Sequence, residues 1–181
     1  MALTATIFKA QLNVSDLDRG HYETYPLTLA RHPSETDERM MIRLLAFALF
    51  ADADLGFTRG LSSNDEPDLW KKNYSGEVDL WIEIGQPDER RIRKACSLAD
   101  KVIVICYGGR AAGIWWQQNQ DALKRFDNLQ VLNIPVEDSK ALAGLAEKNM
   151  QLHCTLQEGQ VFIGNDKLNL TLVPELWRKP D

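Results

Sequence analysis

Residues 77–106, EVDLWIEIGQPDERRIRKACSLADKVIVIC, decide the fold because three different elements follow one another along this stretch. Residues 77–85 alternate apolar and polar side chains, which predicts a half-buried strand. Pro87 suits the first turn of a helix, which we expect to continue through Ala99. Residues 102–107 form a continuous apolar run, which is typical of a strand buried on both faces. The stretch therefore predicts a β–α–β unit in an α/β protein.

The segments on either side extend this unit into a larger sheet. A long helix is expected from Ser34, which is suited to cap its first turn. The segment from Asp68 to Lys72 fits either a short strand or a turn of helix. Both ends of the chain show strand patterns separated by turns. We therefore predict a mixed central sheet flanked by helices, with an added antiparallel β layer built from the two termini. The remaining predicted elements are strands at residues 5–14, 21–29, 56–61, 129–134, 150–156, 161–163 and 168–172 and helices at residues 111–126 and 139–149.

Composition narrows the classes of function. The chain has 181 residues, 44% of them hydrophobic, and a net charge of −5. That charge argues against a sequence-independent coat on nucleic acid, because phosphate neutralisation dominates such binding. No apolar run approaches the roughly 20 residues of a membrane helix, and the N-terminus lacks a secretory signal, so we expect a cytoplasmic protein. The three cysteines are widely spaced, which predicts buried reduced thiols rather than disulfides or a zinc site.

Acidic side chains near the central strands are the best candidates for chemistry. Asp79 and Glu83 share one face of the strand at residues 77–85, but they are roughly 13 Å apart at about 3.3 Å per residue. One metal ion cannot bind both directly, so Glu83 needs an acid from another element. Asp68, in the preceding segment, is the obvious partner. Two carboxylates from adjacent strands form a hard oxygen site suited to Mg²⁺.

The order of elements around these acids resembles the PD-(D/E)XK nuclease superfamily. A helix bearing Glu38 precedes a strand, then Asp68 after a proline, then a strand ending near Glu83, then a basic helix. In that superfamily the Asp and a (D/E)xK tripeptide hold the metal and the attacking water. The resemblance implies these roles for Asp68 and Glu83. Gly85 stands where the lysine belongs, so the resemblance implies that a basic residue arrives from the following helix. Its candidates are Lys94, Arg90 and Arg91.

Longer stretches resemble the YaeQ family of bacterial proteins, over essentially the whole chain. The resemblance implies a compact variant of the restriction-endonuclease-like fold. The length of the chain predicts a single domain over residues 1–181, with a core at about 34–149 and flanking strands from 1–33 and 150–175. The resemblance does not imply an activity. The residues that carry it are ARHPSETDERMM at 30–41, FTRGL at 57–61, DLWIEIGQPDERRIRKAC at 79–96 and IWWQQN at 114–119.

Two functions from different classes fit these residues. The first is a Mg²⁺-dependent phosphodiesterase acting on nucleic acid. Glu83 and Asp68 bind the metal, Asp79 is a further ligand candidate, and Glu38 supports the site from outside. Lys94 or Gln86 orients or activates the water. Four arginines are candidates for substrate phosphates, or else pair with neighbouring acids: Arg31, Arg39, Arg59 and Arg90.

The second function is a catalytically inactive nuclease fold that acts as a binding or interaction module. In this interpretation Glu83 pairs with basic side chains of the following helix. A surface of the protein then recognises a partner, which can be another protein. A basic nitrogen of Lys94 near Glu83 and a second carboxylate favours the enzyme. Full neutralisation of Glu83 by arginine favours the module.

Overall fold

The computed structural model describes residues 4–59 and 63–181, which form a mixed α/β fold with two mixed sheets and four helices. The described chain divides into two compact units. The first comprises Met1–Ala51 and Glu137–Pro174, and the second comprises Asp52–Val136 and Glu175–Asp181. The mixed α/β class expected from the sequence is confirmed. The single-domain organisation stays a prediction.

The first unit contains a five-stranded sheet built from both ends of the chain. Its strands are β1 (Thr6–Asp16), β2 (His21–Arg31), β8 (Asn149–Gln157), β9 (Gln160–Gly164) and β10 (Asn169–Leu172). They are ordered β10-β9-β8-β1-β2, with β1 parallel to β8 and the other neighbours antiparallel. Strand β1 buries alternate side chains, including Phe8, Leu12 and Val14. This alternation is the half-buried pattern predicted for the N-terminal strand.

Helix α1 (Asp37–Leu49) of the first unit begins later than the sequence indicates. Its N-cap is Thr36, whose hydroxyl accepts a hydrogen bond from the Arg39 backbone N–H at 3.1 Å. Ser34, the cap expected from the sequence, instead places its hydroxyl 2.7 Å from Nδ1 of His32. The expected cap position is wrong because the Ser34 hydroxyl is engaged in this local turn before the helix starts.

A buried ion-pair network joins α1 to the segment that precedes it. The Glu35 carboxylate lies 2.6 Å from Arg43 Nη2 and 2.8 Å from Arg39 Nη1. Arg43 also donates to the carbonyl oxygen of Ala30, at the end of β2. Glu35 and Arg43 are both almost fully buried, so their charges depend on these partners. Arg39 therefore has a structural partner in the first unit.

The second unit contains a six-stranded sheet that includes the candidate site. Its strands are β3 (Leu55–Phe57), β4 (Leu69–Lys72), β5 (Val78–Ile84), β6 (Ala99–Cys106), β7 (Leu129–Asn133) and β11 (Glu175–Arg178). The order is β11-β7-β6-β5-β4-β3. Strands β3, β4 and β5 form an antiparallel meander, whereas β5, β6 and β7 are parallel. The undecided segment after Asp68 is thus a strand.

Two helices connect the parallel strands and cover one core. Helix α2 (Glu89–Leu98) links β5 to β6, and α3 (Arg110–Leu123) links β6 to β7. A fourth helix, α4 (Val136–Ala143), follows β7. Asp88 caps α2 by accepting a hydrogen bond from the Arg91 backbone N–H at 2.8 Å. The buried core between helices and sheet includes Trp81, Ile92, Ala95, Val102, Val104, Ala112, Trp115, Leu129 and Val131.

The last strand, β11, is absent from the pattern-based prediction. It pairs antiparallel with β7 at the edge of the second sheet. Its final residue, Arg178, donates from Nη2 to the carbonyl oxygen of Phe126 at 2.6 Å, just beyond α3. A cation near the C-terminal end of a helix is electrostatically favourable. The C-terminal segment therefore stabilises the end of α3 through this hydrogen bond.

The structure also bears on the expectations for thiols and membranes. The free thiols of Cys106 and Cys154 are buried, and that of Cys96 is half-buried. Burial raises the pKa of Cys106 and Cys154 to about 12 and that of Cys96 to about 11. Because the thiolate is the reactive form, these groups are poor nucleophiles at neutral pH. Within the described ranges, no helix has the length and apolar character needed to cross a membrane.

Candidate active site

The meander brings two carboxylates together at one end of β4 and β5. Leu69 pairs with Ile82 across the antiparallel strands, so the preceding Asp68 lies beside Glu83. The Asp68 backbone N–H donates to the carbonyl oxygen of Ile82 at 3.0 Å. Its side-chain Oδ2 accepts from the backbone N–H of Ile84 at 2.8 Å. Residue exposures of 4% for Asp68 and 5% for Glu83 show that both acids are held inside the fold.

Glu83 has two donors on one of its carboxylate oxygens. Oε1 accepts from Trp81 Nε1 at 2.9 Å and from Arg91 Nε at 2.8 Å. Burial raises the pKa of Glu83, the Arg91 charge opposes that rise, and the neighbouring Asp68 charge adds to it. The net direction is upward. Glu83 is thus a desolvated acid that only partly gains from its ion pair.

Arg91 is the basic residue of α2 that reaches this pair. Besides Glu83, its guanidinium donates to the carbonyl oxygens of Asn64 at 2.8 Å and Glu66 at 2.9 Å. The side chain therefore links the end of β5 to the loop that precedes β4. Arg91 shares the first turn of α2 with Arg90, and the start of the helix at the Asp88 cap decides which of the two faces Glu83.

The two other predicted catalytic groups, Lys94 and Gln86, form hydrogen bonds to other partners in the second unit. Lys94 Nζ is 3.2 Å from Asp65 Oδ1, and makes no hydrogen bond to Glu83. Gln86 is exposed and donates from Nε2 to the carbonyl oxygen of Tyr107. Neither side chain therefore makes a direct hydrogen bond to the carboxylate pair, and their catalytic roles stay predictions.

The two other predicted acids, Asp79 and Glu38, lie on β5 and α1. Asp79 lies near the opposite end of β5, where its charge contributes to raising the pKa of Lys71 after the larger effect of Asp52. Glu38 lies in the first turn of α1, in the first unit. Across residues 4–59 and 63–181, no group of three or more Asp, Glu, His or Cys side chains is arranged to hold a metal ion. The candidate site therefore rests on two carboxylates.

The predicted phosphate-binding arginines have different environments. In the first unit, Arg31 forms an ion pair with Asp37. In the second unit, Arg59 pairs with Glu66 at 3.3 Å. Arg90 is exposed on α2 and forms no ion pair with the described residues. These arginines are therefore spread over both units, and only Arg59 belongs to the loop that contacts Arg91.

The backbone at Gly85, the position where the superfamily resemblance predicts a lysine, favours glycine. Gly85 has φ of +110°, which side-chain-bearing residues rarely adopt, although a Cβ there meets nothing within 4 Å. Gly85→Ala is expected to lower the free energy of unfolding by about 1–3 kcal/mol, because backbone strain is not relieved by open space. Urea denaturation measures this change. Gly56→Ala is the control, since Gly56 also has open space but no positive φ. Equal stability of both variants contradicts the argument.

The fold and this site define a mixed α/β protein with a buried carboxylate pair beside an arginine. Comparison with known sequences identifies its family: the model of the YaeQ protein family matches residues 1–174, and the chain belongs to that family. YaeQ of Escherichia coli K12 is 50% identical over 180 residues, covering 99% of each chain. YaeQ of Salmonella typhi is 49% identical with the same coverage. Their names state no activity.

Solved structures of related proteins have the same fold. The crystal structure of YaeQ from Xanthomonas axonopodis pv. citri matches with a TM-score of 0.96 and 49% identity, covering 98% of this chain and 100% of that one. YaeQ from Pseudomonas syringae matches with a TM-score of 0.90 and 35% identity, covering 97% of each chain. The family membership expected from the sequence is confirmed.

Proposed function

We propose that this protein is a Mg²⁺-dependent nuclease or phosphodiesterase with a variant PD-(D/E)XK site on a restriction-endonuclease-like fold. The observation that carries the proposal is the juxtaposition of two buried acids, Asp68 directly before β4 and Glu83 on the neighbouring strand β5. The order of β3, β4, β5, α2 and β6 supports it, because this is the order in which that superfamily presents its acids and basic helix. We further propose nucleic acid as the substrate class and the cytoplasm as the location.

The donor chemistry of the pair fits Mg²⁺. This ion prefers oxygen ligands and is commonly held by one or two carboxylates together with water and substrate phosphate. Oε2 of Glu83 makes no hydrogen bond with the described residues, whereas Oε1 is used by Trp81 and Arg91. Asp68 is kept in position by the N–H of Ile84. Asp68 and Glu83 are therefore the residues that would hold the metal, which would polarise a phosphate and acidify a water molecule.

Arg91 takes the place of the missing strand lysine in this proposal. It supplies a positive charge 2.8 Å from Glu83, from the helix rather than from the strand. An arginine stays protonated, so it does not serve as a general base. Its role is to hold Glu83 in one orientation and to favour negative charge on a phosphate nearby. Gln86, next to the end of β5, is the candidate to orient water through its amide.

The test is cleavage of single- and double-stranded DNA and RNA in the presence of Mg²⁺ or Mn²⁺. We expect wild-type protein to cleave at least one of these substrates, and neither EDTA-treated wild type nor Glu83→Ala to do so. The parallel purification of Glu83→Ala controls for a contaminating nuclease. Equal cleavage by both proteins, or none by either, contradicts the proposal.

A specific observation favours a second candidate, a catalytically inactive nuclease fold that binds a partner. Arg91 pairs with Glu83, and its other guanidinium nitrogens donate to the carbonyl oxygens of Asn64 and Glu66. Because all three guanidinium nitrogens of Arg91 form hydrogen bonds within the protein, its role in this candidate is to stabilise the fold. This candidate expects no cleavage and no binding of Mn²⁺ that depends on Glu83. Titration of wild type and Glu83→Ala with Mn²⁺ separates the two candidates.

A further inference from the structure

An acidic segment lies against basic side chains next to the candidate active site. We define it as residues 64–66, whose members are Asn64, Asp65 and Glu66. Arg59 Nη2 lies 3.3 Å from Glu66 Oε1, and Lys94 Nζ lies 3.2 Å from Asp65 Oδ1. Arg91 donates to two carbonyl oxygens of the same segment. Three cations from two parts of the second unit thus converge on three consecutive residues.

The contacts of this segment fall into a strong set and a weak set. Arg91 makes short hydrogen bonds of 2.8–2.9 Å to carbonyl oxygens and to buried Glu83. The two ion pairs are longer than the roughly 2.7–2.9 Å of a good charge-assisted hydrogen bond. Both cations are exposed, with side-chain exposures of 73% for Arg59 and 53% for Lys94; Asp65 is 88% exposed, whereas Glu66 is 19% exposed. Glu66 accepts hydrogen bonds of 3.2–3.3 Å from the backbone N–H, Nε and Nη2 of Arg59. The exposed Lys94–Asp65 pair adds little stability, and the Arg59 guanidinium faces solvent beside its long contacts, so we expect a phosphate to replace each carboxylate.

The position of these cations relates them to the proposed chemistry. Arg59 and Lys94 contact Glu66 and Asp65 in the loop that leads into Asp68, and Arg91 joins the same loop to Glu83. Asp65 and Glu66 thus present two carboxylates to cations that face solvent beside the carboxylate pair.

Building on the proposed function, we propose that Arg59 and Lys94 bind the phosphodiester backbone of a nucleic acid, and that Asp65 and Glu66 occupy these cations in the free protein. Binding exchanges each carboxylate for a phosphate, while Arg91 keeps the segment attached through its carbonyl oxygens. The same exchange accounts for a protein with a net charge of −5 that still offers a local phosphate surface. Asp65 and Glu66 therefore compete with any other anion for Arg59 and Lys94.

The experiment measures binding without cleavage. Fluorescence anisotropy in EDTA follows labelled single-stranded DNA, duplex DNA and RNA over a range of salt concentrations. Asp65→Asn/Glu66→Gln is expected to bind at least one of them about tenfold more tightly than wild type. For single strands, loss of both cations in Arg59→Gln/Lys94→Gln is expected to flatten the dependence of log Kobs on log salt by about 1.4, because two phosphate contacts disappear. The three probes show which nucleic acid supplies the phosphates.

Two further variants make the result specific. Asp121→Asn/Asp181→Asn also removes two exposed carboxylates that pair with basic side chains of the second unit. It is expected to leave affinity within about twofold of wild type, because those pairs lie elsewhere. Adding Arg59→Gln/Lys94→Gln to the Asp65→Asn/Glu66→Gln variant is expected to abolish the gain. Thermal melting confirms that each variant is folded.

Three results overturn the inference: no gain in Asp65→Asn/Glu66→Gln, an equal gain in the Asp121→Asn/Asp181→Asn control, or a gain that survives loss of Arg59 and Lys94. The outcome is distinguishable from failure of the proposed function. A salt-dependent gain in binding, with no Mg²⁺-dependent cleavage in the separate assay, leaves the phosphate surface in place. It then assigns that surface to a binding protein rather than to a nuclease.

Discussion

Arg91→Met is expected to lower the free energy of unfolding by about 3 kcal/mol. Removing one partner of a buried ion pair typically costs about 3–5 kcal/mol, because the other charge remains desolvated. The lower end applies because Arg91 keeps 29% of its side chain exposed, whereas Glu83 keeps 7%. Methionine preserves much of the length and the apolar stem of arginine. Urea denaturation in EDTA measures the change.

A double-mutant cycle separates the ion pair from general packing. In the Glu83→Gln background, Arg91→Met is expected to cost much less, because the carboxylate that needs the guanidinium is gone. Arg90→Met is the matched control, since Arg90 is the neighbouring exposed residue and forms no ion pair within the described chain. If Arg91→Met costs no more than Arg90→Met, the pair does not stabilise the end of β5.

Asp68→Asn is expected to reduce Mg²⁺-dependent cleavage by at least about 100-fold. The substitution keeps a side-chain oxygen that is able to accept the Ile84 N–H bond, but it removes the negative charge that a metal needs. Stability is therefore expected to change much less than activity. Initial cleavage rates over a range of Mg²⁺ concentrations, compared with urea denaturation of the same samples, measure both effects.

The control for Asp68→Asn is Asp100→Asn. Asp100 is an exposed carboxylate near the start of β6 in the same sheet, so its substitution changes net charge equally. We expect its activity to stay within about twofold of wild type. Similar losses in both variants indicate a general electrostatic effect and contradict a specific role for Asp68.

Local patterns were sufficient for most of the second sheet. The alternation of residues 77–85 and the apolar run at residues 102–107 predict two strands, and the structure confirms them as β5 and β6. Strand β11 is four residues long and directly follows Pro174, so it has too few positions to show a period. It exists because the edge of β7 is available for pairing. Such a long-range cause leaves no local signal.

In the candidate site, too, the sequence identifies some residues and only the structure identifies the others. A carboxylate on a core strand demands a partner, so Glu83 and the proline-preceded Asp68 are recognisable from sequence. The identity of the basic neighbour depends on where α2 starts, which Asp88 sets by capping. A shift of one residue rotates a helix by about 100°. The sequence therefore does not distinguish Arg90, Arg91 and Lys94 as partners of Glu83, and the structure shows that the partner is Arg91.

The parallel pairing of β1 with β8 has a consequence for synthesis on the ribosome. Lys9 is the partner of Asn149, 140 residues later, so the first sheet cannot close until most of the chain has emerged. The second unit, in contrast, draws all but its last strand from one continuous stretch, Asp52–Val136. We expect that stretch to fold before β8 is available to pair with β1 of the N-terminal β1–β2 hairpin. Distant pairings of this kind slow folding and leave strand edges open to aggregation. We therefore expect a chaperone to bind most strongly to nascent chains that end before residue 149, because their β1 edge is still unpaired.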